Sequence, residues 1–262
     1  MWRYARLYVH FLRFSFSKAL EFRVDFFFRV VMDGVFYLIT LGFFGILFQH
    51  TKDLAGWDID QVLIFVASVF FVDAVHMTVV ANNLWAFPDF VNKGQLDYYL
   101  IRPVAPLFFL TLREFAANSF LNLFIAIGIL TWSFWRYPGE LGIGPIALHV
   151  VLLLVGVYLH TLLYLVFLIP VFWLQHAEGS RSLFFGIELL AERPHRIYQG
   201  ALKRILLSVI PFAVLISQPT YLLFEGATLA GLGHIVLVTA GLSVATYVFW
   251  RIGLRAYSSA SS

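Results

Sequence analysis

The sequence predicts an all-α integral membrane protein, and three observations carry that prediction. Hydrophobic residues make up 61% of the 262 positions and charged residues only 13%, about half the charge of an average soluble domain. Mean hydropathy is +0.84. Six apolar runs recur along the chain, most of them long enough for a helix to cross a ~30 Å hydrocarbon core. No stretch is polar enough to form a soluble domain, so residues 1–262 read as one transmembrane domain. With no cysteine present, disulfide frameworks, thiolate metal sites and cysteine nucleophiles are excluded.

Residues 1–22 open the chain with an amphipathic helix. At 100° per residue Arg3, Arg6, His10 and Arg13 share one face, and Tyr4, Tyr8, Phe11, Leu12 and Ala19 lie opposite. A basic face against an aromatic one suits the headgroup layer of an anionic leaflet. No short apolar core followed by a small-residue cleavage site is present, so a cleavable leader is not expected.

The first span covers residues 26–48 and a polar loop covers 49–60. The second span runs over 62–81 and the third over 107–135, with a Gly- and Pro-rich turn at 136–144. The fourth covers 146–174, where Pro170 is expected to kink or end it. Residues 176–204 form a polar interruption. The fifth apolar stretch starts at 205 and meets Pro211 and Pro219, and the sixth covers 235–250 before Arg251 and Arg255.

Six spans place both termini on one side. With the termini inside, every one of the 18 Lys and Arg residues except Lys52 and Arg136 falls inside. Cytoplasmic loops hold the Lys/Arg excess, so the expectation is a multi-pass protein of the inner (cytoplasmic) membrane. Both termini, residues 83–106 and residues 176–204 are then cytoplasmic. Because the positive charge collects on one membrane face, the lipid bilayer is the expected partner and nucleic acid is not.

Residues 218–233 are apolar, lack Lys and Arg, and are broken by Pro219, Gly226, Gly231 and Gly233. Irregular backbone at membrane depth needs protein or a cavity to cover it. The segment reads either as a re-entrant helical hairpin on the outer side, before span 6, or as a plain outer loop after a span that continues through Phe224.

Between spans 2 and 3, Pro88, Gly94 and Pro103 punctuate residues 83–106. Two apolar clusters, at 84–87 and 98–101, are separated by charged residues. A short helix bounded by Pro88 and Pro103 is expected there. Trp85, Phe87, Tyr98 and Tyr99 are candidate anchors for a protein contact, and Asp89, Lys93, Asp97 and Arg102 are candidates for setting its register. The same aromatics also suit a headgroup belt.

Within the spans, Glu21, Asp25, Arg29 and Asp33 recur every four residues and share a helix face. They read as a charged inner gate or as an ion-pair ladder locking the first span to its neighbours. Asp73 and His76 lie one turn apart, suited to proton relay or to a hydrogen-bonded seam with Asn82 and Asn83. No third ligand declares itself by spacing, so no metal site is expected. His160, Arg113 and Glu114 read as structural. The 29 Phe, 12 Tyr and 7 Trp either line a greasy path for cargo or face lipid.

Three stretches carry a family resemblance. FVNKGQLDYYLIRPVAPLF, with Gly94, Leu96, Asp97, Leu100, Arg102 and Pro103, resembles the cytoplasmic motif of six-span ABC exporter permeases. RPHRIYQGALKRILLSVIPFAVLISQP, with Arg193, Pro194, Tyr198, Pro211, Phe212 and Pro219, resembles that family's second signature, and EFRVDFFFRVVMDGVFY resembles its first span. The resemblance covers most of the chain. It implies a half-transporter that pairs with a second permease, identical or homologous, and with an ABC ATPase dimer. It also implies an outer re-entrant hairpin, and a cytoplasmic coupling helix on which Trp85, Phe87, Pro88, Asp89, Lys93, Gly94, Asp97, Tyr98, Tyr99, Arg102 and Pro103 meet the ATPase.

No Gly-x-x-x-x-Gly-Lys-Ser/Thr run occurs, so ATP and Mg belong on that partner, with no cofactor and no catalytic residue expected in this chain. Two rivals stay open. An ion-coupled transporter would use Asp73 as carrier and run on a proton gradient. A membrane-embedded enzyme would use Asp73 and His76, and would need further carboxylates or histidines converging at one depth.

Overall fold

The computed structural model describes residues 2–19, 23–116, 119–174, 176 and 178–257; side chains at some of these, Asp25 and Arg29 among them, are not described. Every regular element among the described residues is helical. Helix α1 (Trp2–Ala19) packs its aromatic face on α6 (Pro106–Leu112). Tyr4 and Phe108 rings meet edge-on at 4.7 Å, and Phe11 and Phe109 at 5.3 Å. Arg6, His10 and Arg13 point outward. The aromatic face of the amphipathic pattern is thus the packed face and the basic face is the exposed one.

Helix α2 (Arg23–His50) is long and apolar. The next helix starts on a capping box: Asp58 Oδ1 accepts from the Gln61 N–H at 2.8 Å, and Gln61 Oε1 accepts from the Asp58 N–H at 3.1 Å. It proceeds as α3 (Ile59–His76), a π-helical turn (Met77–Ala81) and α4 (Asn82–Asn92) without a stop. At 1.5 Å per residue this 34-residue rod is roughly 50 Å long, well beyond a ~30 Å core.

Pro88, expected to bound a short helix, is buried inside α4 instead. Its missing N–H removes one ladder bond, which the helix tolerates. The chain turns at Gly94, whose φ of +68° favours glycine. Only one turn, α5 (Asp97–Leu100), remains of the helix expected across the segment.

Among the described residues four helices are long and apolar enough to cross a membrane: Val30–His50, Ile59–Asn92, Ile143–Leu174 and Leu229–Ala256. The expected third and fifth spans are not single helices. The third is α6, an irregular stretch, and α7 (Phe120–Arg136). The π turn explains the break. The Thr78 carbonyl accepts from the Ala116 N–H at 2.8 Å, and Asn83 exchanges two hydrogen bonds with the Glu114 backbone, at 2.7 and 2.8 Å. The irregular backbone is thereby satisfied without a helix.

Helix α8 (Ile143–Leu168) breaks at Pro170 and resumes as α9 (Val171–Leu174). Helix α10 (Glu178–Glu188) then runs back along α8, its Phe184 ring against those of His160, Tyr164 and Phe167. A 3₁₀ turn (His195–Ile197) leads to α11 (Gly200–Arg204) and a second π turn (Ile205–Val209). The fifth segment is completed by α12 (Phe212–Leu215) and α13 (Ser217–Glu225).

Residues 176–204, expected to be a second cytoplasmic segment, hold α10, the 3₁₀ turn and α11. Arg196 Nη1 lies 3.5 Å from Glu225 Oε1 and beside Gly56, at the end carrying the 49–60 loop. Alignment of α10 with α8 through aromatic packing carries the chain there.

Helix α14 (Leu229–Ala256) starts on Thr228, whose Oγ1 accepts from the Gly231 N–H at 3.1 Å. Gly231 and Gly233 do not interrupt it. Gln218 clasps it, donating to the Gly231 carbonyl and lying 3.0 Å from His234 Nδ1. Helix α13 and the start of α14 thus make a tight hairpin about Gly226, whose φ is +92°.

Candidate functional site

Midway along the bundle, α3, α8 and α10 surround a cavity of about 230 Å³. Asp73 and His76 reach it from α3 and the following turn's neighbourhood brings Trp85. Helix α8 supplies His160 and Tyr164, and α10 supplies Phe184, Phe185 and Glu188. Glu192 completes it from the connection after α10. The His76 and His160 rings lie 4.1 Å apart. His160 Nε2 stands 2.7 Å from Glu188 Oε1. His76 is 3% exposed, and among the described residues neither of its ring nitrogens has a hydrogen-bond partner.

A second cavity of about 280 Å³ adjoins the first, sharing Phe36, Val69, Phe70 and Glu192, and extends along α2 past Thr40 and Phe43. The pair forms a lane bordered by α2, α3 and the 184–193 stretch. Three carboxylates and two histidines meet there, Asp73, His76, His160, Glu188 and Glu192, where sequence spacing showed two of the five. Among the described residues no group of His, Asp and Glu has the arrangement of a metal site.

The far end of the α3–α4 rod carries the exposed turn. Leu96 is fully buried and its N–H donates to the Phe90 carbonyl at 3.0 Å, folding the turn back. Tyr99 packs between Phe90 and Phe109, each ring 5.2 Å away. Arg113 lies over the Phe90 and Tyr99 rings and donates to the Tyr99 hydroxyl. The α1 helix braces the turn, its Tyr4 hydroxyl accepting from the Ala105 N–H at 3.2 Å. Tyr98 and Ile101 project outward, 66% and 79% exposed.

The model of the ABC-2 family transporter proteins matches residues 35–261, most of the chain. The chain belongs to the ABC-2 transporter family. No curated protein and no solved structure matches it. As an ABC-2 protein it is a multi-pass membrane component of an ABC transporter, its permease rather than its ATPase. Membership implies association with an ABC ATPase and with the membrane.

Within this ABC-2 permease the residues singled out by sequence fall into different settings. Tyr98, Asp89, Lys93, Arg102 and Pro103 lie at the surface, with Lys93 Nζ 3.7 Å from Asp89 Oδ2. Gly94 makes the turn and Asp97 starts α5. Phe87 and Pro88 are buried, Phe87 against Phe172 and Trp250. Trp85 faces the cavity, and its carbonyl accepts from Arg181 at 2.6 Å. Tyr99 is half-buried in the aromatic stack.

In the expected charge ladder, Asp33 accepts from Asn122 of α7, tying α2 inward. The side chains of Asp25 and Arg29 lie outside the described ones, as does Glu21 entirely. Asp73 and His76 line the cavity without Asn82 or Asn83. His160 is not merely packed; it bridges His76 to Glu188. A histidine in a span opposite two glutamates was the signal available in sequence, but their convergence depends on α10 folding back.

Proposed function

We propose that this ABC-2 permease is the translocating half of an ATP-driven exporter in the inner membrane, with both termini cytoplasmic. It works as a dimer with a second permease and is driven by a separate pair of ATPase subunits. The observation carrying this is one rod: residues 59–92 form a continuous apolar helix with Asp73 and His76 near its middle and the exposed 93–105 turn at its end. A displacement of the turn reaches the cavity along one uninterrupted helix.

Tyr98, Ile101 and Arg102 form the contact with the ATPase, where exposed aromatic and arginine side chains suit hot spots. Tyr99, Arg113, Phe90 and Phe109 hold that surface rigid. In this mechanism nucleotide closes the ATPase pair, the turn moves, and the lane beside α2 opens outward. Support for a second permease comes from α2 and α14. Only 11% and 17% of their apolar windows are buried, against 72% for the α3–α4 rod.

Co-purification from native membranes tests the coupling. The intact chain is expected to bring down a nucleotide-hydrolysing subunit. Tyr98→Ala, Ile101→Ala and Arg102→Ala together should lose it or uncouple its ATP hydrolysis from transport. An unchanged complex with unchanged transport excludes the turn as the coupling surface.

A further inference from the structure

The lane's chemistry selects one kind of ligand. Asp73, Glu188 and Glu192 are acceptor-only when ionised, and neutral imidazole offers an acceptor as well. The cavity lining holds no Lys or Arg. Arg181 is held by the Trp85 carbonyl, and Arg193 lines only the adjoining cavity, beside Glu192. Ionised carboxylates at this depth are costly without a positive counterpart, and the lining offers only His160, 2.7 Å from Glu188 and cationic only when protonated. Buried His76 lines the same space with both ring nitrogens unpartnered. Around these acceptors stand Phe36, Phe70, Trp85, Tyr164 and Phe184, whose faces favour a cation and an apolar body.

We infer that the cavity between α3, α8 and α10 is a binding site for a primary ammonium carrying a small apolar or aromatic body. Its N–H groups donate to Asp73, Glu188 and His76. Its body lies on the aromatic wall, and a longer tail runs past Glu192 into the adjoining 280 Å³ space. The site names a cargo class for the permease and so rests on the transport function proposed above.

Full-length protein in nanodiscs without nucleotide tests this, with phenethylammonium as probe and phenethyl alcohol as its neutral counterpart, read by calorimetry. Saturable binding of the ammonium is expected, with the alcohol at least about tenfold weaker, as for loss of a charge-assisted hydrogen bond. Asp73→Asn and Glu188→Gln should each weaken the ammonium about tenfold. Glu192→Gln, at an exposed position, keeps the test valid if the buried variants misfold; it should weaken binding about threefold with unchanged elution and melting.

Equal affinity for the alcohol, wild-type affinity in every variant that folds, or no saturable binding overturns the site; the carboxylates are then neutralised by protons alone. Because binding is read on the permease by itself, its failure leaves the ATPase association standing. A permease that binds the amine yet brings down no ATPase keeps the site and loses the proposed function.

Discussion

Asn83 is 3% exposed, and its amide does work that no apolar side chain can replace. It satisfies both the N–H and the carbonyl of Glu114 where the third segment is unwound. Asn83→Leu strands two backbone groups and is expected to cost about 2–4 kcal/mol, seen as a lower melting temperature in detergent with the helix content retained.

His195 sets a pH limit in the same way. Burial first, then Lys203 and Arg196 nearby, push its pKa down to about 4, and Ser217 Oγ lies 2.7 Å from its Nδ1. Its folded pKa lies below the unfolded value of ~6.5, so the unfolded chain binds the extra proton. The contribution is complete above pH ~6.5 and fades as pH falls toward 4, by up to ~3 kcal/mol. Melting temperatures measured across that window should fall for the wild type and flatten for His195→Gln. At this scale Asp73 and His76 were legible from their spacing. Glu188 and Glu192 were not, because only the return of α10 against α8 brings them to the same depth.

Among elements, the α3–α4 rod departs most from what local sequence suggests. Asn82 and Asn83 lie past the expected end of the second span at 81 and Pro88 reads as a helix boundary, yet burial of Leu84 and Phe87 outweighs a weak helix propensity. The π turn at Met77–Ala81 leaves no periodicity signal strong enough to find by counting. Amphipathic α1 was legible because its pattern is local. The fifth segment was partly legible: Pro211 and Pro219 announced breaks, but not the close approach that α12 makes to α8.

That approach depends on Gly156. A Cβ there would lie 2.2 Å from the Leu215 carbonyl oxygen, so the helices meet backbone to backbone. Gly156→Ala is expected to force them apart, costing about 1–3 kcal/mol. A melting temperature equal to wild type would show that α12 yields freely.

For the molecule as a whole, membrane class was plain from composition, whereas the span count was not. Hydropathy reads the third and fifth segments as spans, but in three dimensions they are interrupted helices packed against α3 and α8. Orientation rests on the Lys/Arg bias, and Arg196 now joins Lys52 and Arg136 at the opposite end, which weakens the bias without reversing it. The weakly buried α2 and α14 leave apolar faces for lipid and, in the function proposed above, for a second permease.

The central claim is that the tip of the rod touches an ATPase. Photo-crosslinking in native membranes, with benzoylphenylalanine at position 98 or 101, tests it most directly, with buried position 87 as control. Adducts with a nucleotide-binding subunit from 98 and 101, and none from 87, are the predicted result. No such adduct from either exposed position, with the protein intact and transporting, would contradict it.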